Sequence, residues 1–181
     1  PADTATWKDL GTMDLSHYRM IIFRELAVLT PEKEELLRDR VCTAGRSVVF
    51  IHQPGIIRNG RYAEENVALF TGVPVGAEGV SIRSRDGWTM IYAPEAEALT
   101  EEKLFALAEE AKVHIYARNA AFHASKELLC VHCADGGERE IRLPFRAGRV
   151  TEIFDGRVVA ENTDRFTDTF RTPGTNIYFL E

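Results

Sequence analysis

The stretch "RSVVFIHQPGIIRNG", residues 46–60, identifies the architecture most directly. Its run Val48-Val49-Phe50-Ile51 sets β-branched and aromatic residues side by side without alternation. Such a strand is covered on both faces, as a parallel strand is in a layered α/β protein. The strand runs straight into His52-Gln53-Pro54-Gly55, and the carboxyl end of a parallel strand is where open α/β sheets hold ligands, nucleophiles or phosphate loops.

On either side of this stretch, residues 18 to about 117 alternate short apolar strands with capped helices. "YRMIIF" (18–23) reads as a strand and "LTPEKEELLRDRVCTAGR" (29–46) as a helix over 31–44. Thr30 is placed to be its N-cap, Pro31 its first residue, and Gly45 its left-handed stop. Leu36, Leu37, Arg40, Val41 and Ala44 recur at helical spacing and predict one apolar stripe with the arginine at its rim. A short helix over 63–72 ends at Gly72, and residues 79–84 and 88–93, joined through Asp86-Gly87, predict a hairpin or two edge strands. A helix over 99–112, capped by Thr100, leads to an expected strand "VHIYA" (113–117). This alternation predicts a mostly parallel sheet with flanking helices, of the flavodoxin-like or amidotransferase-like kind.

Beyond residue 118 the helical period disappears. "AAFHAS", "ELLCVHC", "REIRLPF", "RVTEIFDGRVVAE", "RFTDTFR" and "TNIYFL" are separated by Gly-Gly, Arg-Ala-Gly, Asp-Gly, Thr-Asp and Pro-Gly. Strands with turn signals every 8–12 residues predict a small antiparallel β-sandwich. The expected domains are therefore an α/β domain over 1–118 and a β-sandwich over 119–181.

Several function classes are disfavoured by composition. The chain has 181 residues, a net charge of -6 and no basic cluster free of intervening acids, so nucleic acid is a poor partner. No apolar run is long enough to span a bilayer and the first twenty residues lack a signal-peptide layout. With three cysteines at irregular spacing, the chain is expected to be cytoplasmic rather than a disulfide-framed secreted domain. The opening Pro-Ala-Asp fits either removal of an initiator methionine or a piece of a longer polypeptide.

Catalysis at the 52–57 turn would need Cys or Ser, and the residues are His-Gln-Pro-Gly-Ile-Ile. Cys42 lies in the 31–44 helix on or beside the apolar stripe, where packing is expected rather than reaction. Cys130, His132 and Cys133 do not converge on a metal, because an extended strand turns Cys133 away from the other two. His17, His114 and His123 have no ligand spacing, and no GxGxxG or GxxxxGK[ST] motif occurs, so no cofactor is expected. Two candidates remain: His52 with Gln53 at the strand end, and the aromatics Trp88, Tyr92 and Tyr116, which would line a carbohydrate-binding surface.

The residues also carry a family resemblance. "DLSHYRMIIFRELAVLTPEKEELLRDRVCTAGRSVVFIHQPGII" resembles the class I glutamine-amidotransferase-like domain attached to many β-galactosidase-type glycoside hydrolases, the β-galactosidase trimerisation domain. Asp14, Leu15, Tyr18, Leu29, Thr30, Gly45, Val48 and Val49 fall where its pattern expects them, and "ENVALFTGVPV" matches the following segment. The tail from "LLCVHC" to "TNIYFLE" is similar to the small β-sandwich that closes many such hydrolases.

The resemblance implies a complete βα unit before "DLSHY"; only residues 1–13 are present, with "TATW" (4–7) as the expected remnant strand. It also implies that the catalytic carboxylates lie in an upstream barrel, so no catalytic residue carries over. The expected function is a non-catalytic accessory or oligomerisation module, its partner the parent glycoside-hydrolase barrel or a second copy of the chain. A carbohydrate-binding module, or a small hydrolase using His52 as acid and base, are the rival expectations.

Overall fold

The computed structural model describes residues 3–181, which divide into two units, Thr4–Val113 and His114–Glu181, with Asp3 grouped with the second. The first unit opens with α1 (Trp7–Leu10). Here the expected remnant strand over 4–7 is corrected. Thr6 accepts from the Asp9 N–H at 3.4 Å while its own N–H donates to the Asp9 carboxylate at 2.8 Å, a reciprocal cap that turns the segment helical.

The chain continues through β1 (Met20–Phe23), β2 (Val28–Leu29), α2 (Pro31–Leu36), β3 (Ser47–Ile51), β4 (Ile57–Arg58) and β5 (Arg61–Tyr62). It then forms α3 (Glu65–Thr71), β6 (Ser81–Arg85), β7 (Trp88–Ala93) and α4 (Glu101–Glu110). Four strands make the main sheet in the order β1-β3-β7-β6, parallel except for β6, which pairs antiparallel with β7 as the expected hairpin. All five residues of β3 are buried. Val48 and Phe50 join Leu29, Leu37, Val41, Val67, Met90 and Tyr92 on one face, while Val49 and Ile51 join Ile91 and Leu107 on the other. Burial on two faces is why the run does not alternate, and each such side chain contributes about 1.5–3 kcal/mol relative to leaving it in water.

Capping residues act largely where the sequence places them. Thr30 and Thr100 accept from the N–H groups of Lys33 and Lys103, and Gly72 ends α3 in the left-handed region at φ 76°. The helix expected over 31–44 is shorter and different in kind. After Leu36 it widens into a π-helical turn, Leu37–Val41, closed by the Cys42 N–H donating to the Leu37 carbonyl at 2.6 Å. Gly45 therefore lies beyond the helix end, and the open carbonyls are satisfied by Arg46 instead. This arginine is 6% exposed and donates to the carbonyls of Leu15, Tyr18, Arg40, Val41 and Thr43. Five carbonyl dipoles around one guanidinium form a buried cationic centre, and no ion pair among the described residues engages it.

A second, three-stranded sheet, β2-β4-β5, has no counterpart in the sequence expectation. Asn59-Gly60 turns β4 into β5 with φ of 51° and 74°, the two positive values a two-residue hairpin of this kind requires.

The second unit is one antiparallel sheet of β8 (Ala121–Ala124), β9 (Leu128–Cys133), β10 (Gly137–Glu152), β11 (Val158–Phe170) and β12 (Gly174–Leu180), in the order β11-β10-β12-β9-β8. Arg-Ala-Gly (146–148) and Thr-Asp (163–164), expected as turns, lie inside the long strands β10 and β11. Between Arg142 and Ala147 the β10–β11 register shifts, so turn-like residues mark an irregularity within a continuous ladder. Ile141 and Leu143 from one side of this shift and Ala147 and Val150 from the other share a core with Leu129, Val131, Phe166, Phe170 and Tyr178, so the strands expected to form a sandwich are hydrogen-bonded as a single sheet. The expected strand 113–117 is absent. Lys112 takes a φ of 59°, and residues 114–117 form an extended segment held to Arg142 by the Tyr116 carbonyl at 2.7 Å and the His114 ring at 2.9 Å.

This core also encloses acids. Asp168, 8% exposed, accepts from the Tyr178 hydroxyl at 2.9 Å, the Arg157 guanidinium at 3.0 Å, the Asn176 amide at 3.1 Å and the Thr169 N–H at 2.9 Å. Burial by itself would raise its pKa, but Arg157, Tyr178 and the Thr169 N–H together outweigh burial and hold the carboxyl below the usual aspartate value. Glu152, 4% exposed, accepts from the N–H groups of Phe154, Asp155 and Ile177. No helix among the described residues is long and apolar enough to cross a membrane.

Candidate functional site

Strand β3 does not simply stop at Ile51. His52 donates its N–H to the Ala93 carbonyl at 3.0 Å, extending the pairing with β7, but its φ is 67°. A residue with a Cβ takes that left-handed conformation at a cost of about 1–2 kcal/mol, and here it swings the exposed imidazole out of the sheet. Gly55 follows with φ 73° and donates to the Leu26 carbonyl at 2.8 Å. A Cβ there would stand 3.3 Å from Leu29 Cδ2, so the chain turns back tightly against the core.

Past this turn lies a cavity of about 340 Å³, lined by His52 and Gln53 after β3, by Tyr92, Pro94 and Glu95 at the end of β7, and by residues 75–79. The pairing of Phe50 with Tyr92 and Ile51 with Ala93 brings the two strand ends side by side. Tyr92 is 1% exposed as a residue, and it lines this space. Burial raises its pKa, and the Glu95 carboxylate raises it further, which places the phenol within that carboxylate's field. Neither Lys nor Arg lines the cavity, and no ion pair among the described residues engages Glu78 or Glu95.

Three of the five candidate residues, His52, Gln53 and Tyr92, thus stand around one space. Trp88, at the start of β7, is half-buried against the first core and meets the Phe50 ring edge-on at 6.5 Å. Tyr116 belongs to the other unit, where its ring packs against His114 at 4.6 Å and Phe122 at 5.2 Å. Of the expected aromatic surface, Trp88 and Tyr92 belong to one unit and Tyr116 to the other.

Glu78 and Glu95 escape a reading of the sequence, although Gly76-Ala77-Glu78-Gly79, with φ of 84° and 73° at its glycines, carries a loop signal. No hydrogen bond joins His52 to a carboxylate among the described residues. Cys42 is half-buried, and burial pushes its thiol up to about 12, with nearby Arg46 opposing only in part. Cys130 and His132 face outward on β9 while Cys133 is buried, and His132 Nδ1 lies 2.8 Å from the Thr175 hydroxyl.

Against known proteins, no family model matches the chain, and no curated protein matches it in sequence. Solved structures do match. A β-galactosidase from Bacillus circulans sp. alkalophilus is similar over 94% of this chain and 34% of its own, at 13% identity and a TM-score of 0.66. The catalytic mutant E323A of Gan42B, a GH42 β-galactosidase from G. stearothermophilus, matches 91% of this chain and 32% of its own, at 9% identity and a TM-score of 0.61. The β-galactosidase of the Antarctic haloarchaeon Halorubrum lacusprofundi matches 93% and 32%, at 13% identity and a TM-score of 0.54. The chain spans about a third of the length of these proteins and has the fold of that part of them.

Proposed function

We propose that the chain is a non-catalytic accessory module of a β-galactosidase-like glycoside hydrolase, and that its work is assembly. The observation that carries this reading is the match of nearly the whole chain, both units in succession, to one third of several β-galactosidases. The amidotransferase-like origin of the α/β unit is part of the proposal. Its support is the sharp turn after a buried parallel strand, with His52 held in the strained conformation that such folds give a nucleophile. Residues 52–57 offer no Cys or Ser there, so the turn keeps the shape of a nucleophile site without the group that would attack.

Assembly is expected to proceed by closed, symmetric self-association, the commonest form among soluble oligomers. Light scattering of the 181-residue chain over a range of concentrations tests this. A stable dimer or trimer is the expected result, and a strict monomer at every concentration would rule out assembly through this chain alone.

A further inference from the structure

We infer that the outward face of the five-stranded sheet in the second unit is where two copies of this chain meet, a surface that rests on the assembly reading and gives it a location. Cross-strand pairing fixes which side chains share a face of a sheet. Val158 lies opposite Thr151, Thr151 opposite Phe179, and Phe179 opposite Leu128, so one row crosses β11, β10, β12 and β9. The residues alternating with this row, such as Val150 and Tyr178, are buried, so the row faces away from the core. Ile153, two residues beyond Thr151, extends it by donating its N–H to the Ile177 carbonyl at 2.9 Å, and Phe154 follows at the turn. These five apolar side chains, Val158, Phe179, Leu128, Ile153 and Phe154, are between 36% and 71% exposed.

Single exposed apolar residues are ordinary, whereas a contiguous set marks a contact surface. At these exposures the five leave roughly 400 Å² of apolar surface in water. One side of a standard interface covers about 800 Å², a little over half of it apolar, so the row supplies about the apolar share of one side. Charge points to a second copy as the occupant. No member of the row is charged, and the charges beside it are paired with opposite sign, Arg149 with Glu161 at 4.0 Å and Arg157 with Asp155 at 3.5 Å. Although the chain carries a net charge of -6, two such faces meet as nearly neutral surfaces. An apolar row is also complementary to itself, as a two-fold contact requires. The strands of this unit form a single hydrogen-bonded sheet, and a second copy gives its outer face the covering layer that a β-sandwich has.

The test compares the solution mass of the native 181-residue chain, over a range of concentrations, with that of a variant combining Phe154→Ser and Phe179→Thr. The expected result is a native dimer whose dissociation constant rises about a hundredfold in the variant, about tenfold for each apolar side chain lost. Ile82→Thr removes a 51% exposed apolar side chain from β6 in the other unit and should leave the dimer unchanged. Amide shifts of the isotope-labelled native chain locate the contact without any substitution, and between dilute and concentrated samples they should move at residues 127–129, 151–158 and 178–180. A dimer that the double variant leaves intact, or shifts confined to residues 4–113, would overturn the proposal while sparing the assembly reading. A trimer would do the same, because a face that packs on its own copy closes at two. A strict monomer at every concentration would overturn both.

Discussion

The two units bury charge of opposite sign and solve the problem differently. In residues 4–113 the buried ion is the Arg46 cation, held by backbone carbonyls alone. In residues 114–181 the buried ions are the Asp168 and Glu152 carboxylates, held by side-chain donors and backbone N–H groups. Carbonyls from a loop, a helix end and a strand entry can converge on one guanidinium because its five donors fan out in a plane. A sheet has spent most of its backbone groups on the ladder, so its buried acids recruit side chains and the few free N–H groups of bends. The first centre keeps its charge across the pH range in which the protein is handled, whereas the Asp168 carboxylate gives up its contribution in acid.

The largest effect is expected from Arg46→Met. Five carbonyls would lose their donor while the apolar stem is kept, at a cost of about 3 kcal/mol or more. Amide hydrogen exchange should rise first around residues 15–18 and 40–46, and unchanged exchange there would show that the carbonyls do not depend on the guanidinium.

Next comes a pair of glycines, one from each unit. Gly136→Ala sets a Cβ 2.3 Å from Thr172 Oγ1 and 2.8 Å from the Arg171 carbonyl at φ 62°, and should cost about 2–3 kcal/mol. Gly45→Ala, at φ 70° with nothing within 4 Å, should cost only the conformational part, about 1 kcal/mol. Melting temperatures of the two variants measure the difference, and equal shifts would mean that the close approach at Gly136 relaxes freely.

Asp168→Asn sharpens the contrast through pH. Because the folded pKa is depressed, its stabilisation is fully present above the unfolded aspartate pKa of roughly 4 and is lost as the pH falls through the lower folded value. The variant should be less stable than the native chain by about 2 kcal/mol at neutral pH, with the gap closing in strong acid. Denaturant midpoints across that range test it, and a gap that does not change with pH would remove the carboxylate as the acid-sensitive group. The smallest expected effect is on thiol reactivity. Cys42, with its thiol pushed up to about 12, and the fully buried Cys133 should label with an alkylating reagent in mild base much more slowly than the outward-facing Cys130.

Legibility in the sequence tracks the range of the forces involved. Two-sided burial writes itself into consecutive residues, so β3 and its neighbours are readable from "SVVFI", "MIIF" and "WTMIYA". Threonine caps are equally local, and both Thr30 and Thr100 act as expected. The π-turn is hidden because a change of helical pitch over five residues leaves no periodicity to detect. Arg-Ala-Gly and Thr-Asp mislead because a strand irregularity and a turn favour similar residues. Asn59-Gly60 is a clear hairpin signal, but the strands it joins are two residues each, too short to show a pattern of their own. Around the cavity, His52 and Gln53 are found by the rule about strand ends, whereas Glu78 and Glu95 arrive through the β6–β7 pairing, which no spacing along the chain encodes.

The π-turn has a meaning for chain length as well as shape. A bond from Cys42 to Leu37 closes over one residue more than an α-helical turn does, so the segment holds one amino acid beyond what a regular helix would need between the same anchors. A deletion at the exposed Arg38 or Asp39 can be absorbed by tightening the turn, leaving Leu37 and the Arg46 centre facing as they do. The same deletion in α4 would rotate every later side chain by about 100° and uncover Leu107 or Ala111. Within the α/β unit, the Leu37–Val41 turn is thus a place where loss of one residue should leave the sheet undisturbed.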